Sequence, residues 1–306
     1  MLLFDEFIEE LSSVLVNEFL DDGYSVYQRD IYKNNQTGYK ALQIVKDGDN
    51  ISPSIHMDVF YDMYVDGKDI REIAKSVIDY YNDHADGIDV DVEELYDYDK
   101  MSKKVIIRLI NYEKNKEILK NCPYVMWNDL AISFRWIADY QTAGIATALI
   151  TNREFKSWDI SLEELYYQAI ENMQKLFPMC IDDMEELYLQ SIENELIRDR
   201  VRQELQELCA PDFPMLVLSN SKKINGATSV LYPDCLKHLS EQYDGGFYIL
   251  PSSVHEMILI PNSADIPEDE LKNMVRQANQ TAVRDEDLLS YNVYSYDAGL
   301  DEVSVI

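Results

Sequence analysis

Three short β-prone runs near the N-terminus, parted by brief turn signals, constrain the fold more than any other feature of the chain. They are Tyr24–Tyr32, Tyr39–Val45 and a run over Ile51–His56. Between them lie Lys33-Asn34-Asn35-Gln36-Thr37-Gly38 and Asp47-Gly48-Asp49-Asn50. Asn, Asp and Gly tolerate the left-handed backbone that a tight reversal needs. Local spacing of this kind therefore predicts an antiparallel meander. Helical-period segments flank it. Phe4, Ile8, Leu11, Val14, Leu15 and Phe19 recur at three and four residues and predict a helix over 3–20, ended by Asp21-Asp22-Gly23. Ile70, Ile73, Ala74, Val77, Ile78 and Tyr81 predict another over about 68–83, opened by Asp66-Gly67.

Further along, Asp86–Tyr98 reads as an acid-rich connector with one short helix, and 99–121 as a helix closed by Pro123. Leu130–Trp136 and Ile145–Thr151 read as a hairpin pair. Ser161 followed by Glu164 gives a capping-box start to a helix over Leu162–Leu176, stopped by Pro178. A long charge-laced helix is expected over 182–208, then strands at Met215–Leu218 and Ala227–Leu231. A helix at Pro233–Tyr243 stops at Asp244-Gly245-Gly246. Strands at Phe247–Leu250 and Met257–Ile260, a helix at Asp265–Ala278 and a strand at Tyr291–Tyr296 complete the chain. With one strand set aside as an edge addition, the last part has the β-α-β-β-α-β order of ferredoxin-like sandwiches. The expected class is α+β: an N-terminal antiparallel meander with flanking helices, and a C-terminal α/β sandwich of ferredoxin-like order. A boundary near Pro178 would divide it into residues 1–178 and 179–306, with one continuous domain as the alternative.

Charge narrows the partners. The 306 residues hold 57 acidic and 27 basic side chains, a net charge of −30. Residues 1–100 hold 24 acidic against 8 basic, residues 101–200 hold 16 against 12, and residues 201–306 hold 17 against 7. Such a field repels nucleic-acid phosphates and anionic membranes, so neither is an expected partner; a basic protein or polypeptide is. No run approaches the roughly 20 apolar residues of a membrane span. The start Met1-Leu2-Leu3-Phe4-Asp5-Glu6 lacks the basic opening of a signal peptide. Cys122, Cys180, Cys209 and Cys235 are widely spaced. These features predict a cytoplasmic chain with free thiols.

Motifs for chemistry are sparse. Phosphate-cradling glycine loops are absent, so no nucleotide cofactor is expected. His255-Glu256 begins like a zincin helix, but Leu259 stands where the second histidine would be. Asp86, Asp89, Asp91 and Glu93 are spaced like a calcium loop without its glycine, so no metal is expected either. Ser252, Ser253, His255 and Glu256 cluster two hydroxyls, an imidazole and a carboxylate in one turn, and are the catalytic candidates. The competing reading is a polar turn bonding its own backbone. Lys104, Arg108, Lys116 and Lys120 stand out of the acidic background as binding candidates. On a helix, Lys104 would share a face with Arg108, and Lys116 with Lys120, to hold an anion or pair internally. The 22 tyrosines suit either a half-buried core or an interface.

Two stretches carry a resemblance. One is Leu109-Ile110-Asn111-Tyr112-Glu113-Lys114-Asn115 with Pro123 and Asp129-Leu130-Ala131-Ile132. The other, more specific, is Tyr248-Ile249-Leu250-Pro251-Ser252-Ser253-Val254-His255-Glu256-Met257-Ile258-Leu259. Over nearly the whole chain the sequence resembles an uncharacterised domain-of-unknown-function family of Gram-positive, often gut, bacteria. It is less closely similar in element order to a second uncharacterised bacillar family. The resemblance implies a bacterial, cytoplasmic setting and assigns no site residue. From the residues, the expected function is a non-enzymatic protein-interaction module, chaperone-like by its element order, with a homodimer left open. The alternatives are a hydrolase using the Ser252–Glu256 turn and an acidic DNA mimic.

Overall fold

The N-terminal helical pattern folds as α1 (Phe4–Val14), continued by a π-helical turn over Leu15–Phe19. The meander follows: β1 (Tyr24–Tyr32), β2 (Gly38–Lys46) and β3 (Ser54–His56), antiparallel in the order β1-β2-β3. Next come α2 (Met57–Val65), which the sequence reading missed, and α3 (Ile70–Ala85). The three helices bury Phe7, Leu11, Phe60, Ile73 and Val77 against Leu42, Ile44 and Ile55 of the sheet. Tyr61 and Tyr64 stack beside Phe7, with ring centroids at 5.4 and 5.1 Å. The computed structural model describes residues 1–21, 23–36, 38–48, 52–85, 93–141, 144–207, 213–243 and 245–306. Asp22, Thr37, Asp49, Asn50 and Ile51, the connector 86–92, Cys209, Pro211 and the helix stop Asp244 lie outside them.

The middle of the chain corrects the sequence reading. The helix expected over 99–121 is a strand between short helical turns: α4 (Tyr98–Met101), β4 (Val105–Asn111) and α5 (Lys116–Leu119). The run Val105-Ile106-Ile107-Arg108-Leu109-Ile110 is buried on both faces apart from Arg108. A continuous apolar run carries no period that separates helix from strand, and its β-branched residues favour the strand. Then follow β5 (Tyr124–Trp127), β6 (Leu130–Gln141), β7 (Gly144–Leu149) and α6 (Asn152–Ser157). Strand β6 pairs with β4 on one edge and with β5 and then β7 on the other, all antiparallel, which gives the expected hairpin. Helix α7 (Leu162–Leu176) opens with the expected capping box. Ser161 Oγ accepts from the Glu164 N–H at 3.1 Å, and Glu164 Oε2 accepts from the Ser161 N–H at 2.8 Å. Leu165 and Ala169 of α7 bury against one face of this sheet in a core with Ile107 and Leu109.

The long helix expected over 182–208 is broken. Met179–Asp183 is a strand, β8, followed by α8 (Met184–Gln190) and α9 (Glu195–Glu207). The breaks lie where side chains cap: Asp183 Oδ1 accepts from the Glu185 N–H at 2.9 Å, and Asn194 Oδ1 from the Leu196 N–H at 3.0 Å. A capping Asn inside a helical pattern competes with the helix's own ladder. After β9 (Leu216–Asn220), the strand expected at Ala227–Leu231 is instead a 3₁₀ helix, Gly226–Leu231. Then come α10 (Cys235–Tyr243), β10 (Phe247–Ser253), β11 (Glu256–Pro261), α11 (Glu268–Thr281), β12 (Tyr294–Asp297) and β13 (Glu302–Val305). The expected β-α-β-β-α-β order is present from β9 to β12. In the sheet the β10–β11 hairpin is central, and the full antiparallel order is β13-β12-β10-β11-β9-β8. Helix α11 buries Leu271 and Val275 against Ile258 and Ile260 on one face.

The largest core draws on Val105–Trp136 and on Leu216–Tyr296 together, so it crosses the boundary expected at Pro178. A separate core holds Phe7 to Tyr81. Among the described residues, no helix is long and apolar enough to cross a membrane. Cys122, Cys180 and Cys235 are free thiols.

Candidate anion-binding cleft

Strands alternate their side chains, so β4 and β6 present one set to α7 and the other to the opposite side. Arg108 pairs with Ser133, and Ile106 with Arg135, in the register of these strands. Arg108 and Arg135 are therefore diagonal neighbours on the face away from α7, within reach of each other for long side chains. They line a cleft of about 340 Å³ whose walls come from three parts of the chain. The Tyr32–Asn34 turn after β1 forms one wall, and Glu286 and Asp287 another. Ile110, Asn115, Ile118 and Leu149 complete it.

A buried amide pair sets the turn in place. Asn35 adopts a left-handed backbone (φ 61°), which asparagine tolerates better than most residues. Its N–H donates to Asn115 Oδ1 at 2.9 Å, and Asn115 Nδ2 donates to Asn35 Oδ1 at 3.0 Å. Asn35 Nδ2 also donates to the carbonyls of Asp285 and Leu288, both at 2.7 Å. One turn thus ties the N-terminal unit to the middle sheet and to the segment before β12.

The charges in the cleft are unevenly satisfied. Glu286 is bound by Lys33 at 3.4 Å and Arg284 at 3.2 Å. Asp287 is bound by Arg284 at 2.6 Å and lies 3.3 Å from His255 Nε2. Arg135 gives Nε to Thr147 Oγ1 and Nη2 to the Thr147 carbonyl, both at 2.8 Å. Arg108 Nε is shielded from solvent and has no hydrogen-bond partner among the described residues. Among the described residues, neither guanidinium has a carboxylate within ion-pair distance. Burial pulls the Arg108 pKa below its ordinary value, and the more distant charges of Asp287 and Glu286 offset this only in part. Burial, and then the repulsion of Arg108, push Arg135 down to about 10, so Arg135 remains cationic at neutral pH. Each guanidinium disfavours the charge of its neighbour, and a negative charge beside them would relieve this.

The other expected binding residues do not join it. The helix that was to align them is absent, so the cluster is dispersed. Lys104 lies 3.8 Å from Glu94, Lys116 is 2.7 Å from Glu113, and Lys120 is 2.6 Å from Glu117. Only Arg108 reaches the cleft. The catalytic candidates lie at the β10–β11 hairpin turn, and their polar atoms are bonded. Ser252 Oγ donates to Glu256 Oε1 at 3.2 Å, and Ser253 Oγ accepts from the His255 N–H at 3.0 Å. His255 Nδ1 accepts from the Asn225 N–H at 3.2 Å, which leaves the ring proton on Nε2, facing Asp287. Both ring nitrogens are thus engaged away from the two serines. Of the calcium-like set, Asp86, Asp89 and Asp91 lie outside the described residues. Among the described residues, no three His, Cys, Asp or Glu side chains gather as metal ligands.

Sequence reasoning missed Arg135, Asn35, Asn115 and Asp287. For Arg135 the signal was present: a lone charge inside the apolar run Leu130–Ile137, as Arg108 is inside Val105–Ile110.

Fold and site together define an α+β protein with a half-buried two-arginine cleft at the meeting of three chain segments. The chain belongs to a family of unknown function, DUF5688, whose model matches residues 4–298. No curated protein and no solved structure matches it.

Proposed function

We propose that this protein is a non-enzymatic, cytoplasmic binding module whose cleft takes a small anion between Arg108 and Arg135. The observation that carries the reading is the pair of guanidiniums, Arg108 and Arg135, lining one cleft with no carboxylate of the described residues within ion-pair distance. A bound anion would supply the missing counter-charge. Thermal unfolding tests it, with phosphate, acetate and hexanoate each compared against chloride at matched ionic strength. At least one should raise Tm in the wild type, by up to about 2.7 kcal/mol of stability at a hundredfold excess over Kd. None should do so in Arg108→Gln. No shift with any anion, or an equal shift in the variant, would sink the reading.

A second reading, a module that holds a basic polypeptide, is supported by the acidity and by α9. No α9 residue of described burial is buried, and Leu196 and Ile197 are 81% and 51% exposed. Adjacent exposed apolar residues on such a helix offer a partner a small apolar contact beside the acidic surface. Leu196→Asp should then abolish co-purification of a partner at low salt. The hydrolase alternative draws no support from the turn, where both His255 nitrogens are committed elsewhere.

A further inference from the structure

We propose that the ligand of this cleft is a small monocarboxylic acid with an apolar stem. Its carboxylate would sit end-on against the Nη pair of Arg108 and its stem against Ile110, Ile118 and Leu149. The proposal rests on the anion-binding reading and names its chemical class.

Donor geometry is the first argument. A carboxylate presents two oxygens at the spacing of two parallel guanidinium N–H groups. Arg135 has already spent its Nε and Nη2 on Thr147. Arg108 Nε is shielded from solvent, so Arg108 can meet a ligand in the cleft only through its terminal Nη pair, which is itself a two-nitrogen fork. Charge is the second. Lys33 and Arg284 pair with the wall carboxylates Glu286 and Asp287, which leaves the Arg108 and Arg135 charges to face an anion in the cleft.

The lining is the third argument. Ile110, Ile118 and Leu149 offer aliphatic surface beside the guanidiniums, and beneath them Ile110 packs with Leu119, Cys122 and Ala131. A bare oxyanion would leave that surface unused. At about 340 Å³ the cleft falls at the small end of ligand pockets, enough for a short acid.

Isothermal titration calorimetry of the full chain with hexanoate, acetate, inorganic phosphate and an acetylated peptide ending in leucine tests this. Each buried methylene should tighten binding about fourfold. Hexanoate should therefore bind at least about tenfold tighter than acetate, even with a partly buried stem. It should also bind more tightly than phosphate. Arg108→Lys keeps the charge and loses the fork, and should weaken hexanoate by about tenfold. Leu149→Asn should weaken hexanoate and leave acetate unchanged. Phosphate binding more tightly than hexanoate, and lost in Arg108→Gln, would overturn the acid assignment while the cleft reading stands. The leucine peptide outbinding hexanoate would overturn the small-acid assignment in favour of a chain terminus. Binding of none of the four would overturn both readings.

Discussion

The arginine cleft and the β10–β11 turn are both polar places in an apolar framework, and they differ in how completely their groups are used. At the turn, Ser252, Ser253, His255 and Glu256 bond to one another, to Asn225 and to Asp287. In the cleft, the carboxylates at the wall are held by Lys33 and Arg284, while among the described residues the two inner cations have no carboxylate within ion-pair distance. A satisfied network rigidifies a fold, whereas an unsatisfied buried charge is kept at a cost in stability. The difference is that the turn's groups find their partners within the described residues, while the two guanidiniums of the cleft find no carboxylate at ion-pair distance there.

The largest effect is expected at the closed side. Gly226 follows the left-handed Asn225, and a Cβ there would run into Ser219 Oγ and the His255 carbonyl, with the Asn220 nitrogen at 2.9 Å. These are backbone and short side-chain atoms that cannot swing aside. Gly226→Ala should cost about 3 kcal/mol, as overpacking of a tight interior does, read as a fall in the denaturation midpoint. A neutral outcome would mean that the turn is looser than its hydrogen bonds imply, and the contrast with the cleft would weaken.

The open side should respond in the opposite direction. Arg108→Met removes a desolvated charge and its repulsion of Arg135 while roughly keeping volume. It should leave stability unchanged or raise it by about 1 kcal/mol. A loss of about 3 kcal/mol would show instead that Arg108 is paired within the protein. Arg135 gives a second readout. A base whose pKa is lowered by folding penalises the folded state below its native value, and the penalty fades as pH rises through it. For Arg135 that penalty holds below about pH 10. Taking away Arg108 should raise the Arg135 titration midpoint above about 10, as followed by NMR of its guanidinium nitrogens.

Much of the fold was legible because its signals are local. The meander announced itself in two turns, and the start of α7 in Ser161 and Glu164. The error over 99–121 was physical: Val105–Ile110 is buried on both faces, and alternation disappears when neither face meets water. That error carried the site with it, since on a helix Arg108 joins Lys104, and on a strand it joins Arg135. The split between α8 and α9 turned on Asn194, one residue inside an otherwise continuous pattern. The cleft depends on Asn35, Asn115 and Asp287 meeting across long sequence separations, and no spacing encodes that. Charge placement was a partial guide: it found Arg108 by its basic neighbours, although these turn out to pair elsewhere.

The smallest effect is expected at Ser252. Its Oγ donates to Glu256 Oε1 at 3.2 Å in a partly buried turn, and the His255 ring is engaged by Asn225 and Asp287. Removing the hydroxyl leaves Glu256 its own route to water, so Ser252→Ala should change stability by less than about 0.5 kcal/mol. It should leave the anion-induced Tm shift intact. It should also leave the release of nitrophenol from nitrophenyl acetate at the wild-type level. A wild-type esterase rate that disappears in Ser252→Ala, and in His255→Gln with it, would reverse the comparison. The bonded turn would then be the reacting site, its His255 exchanging Asp287 for a serine once substrate arrives. An unchanged rate in both variants would leave Arg108 and Arg135 as the place where this chain has chemistry still to complete.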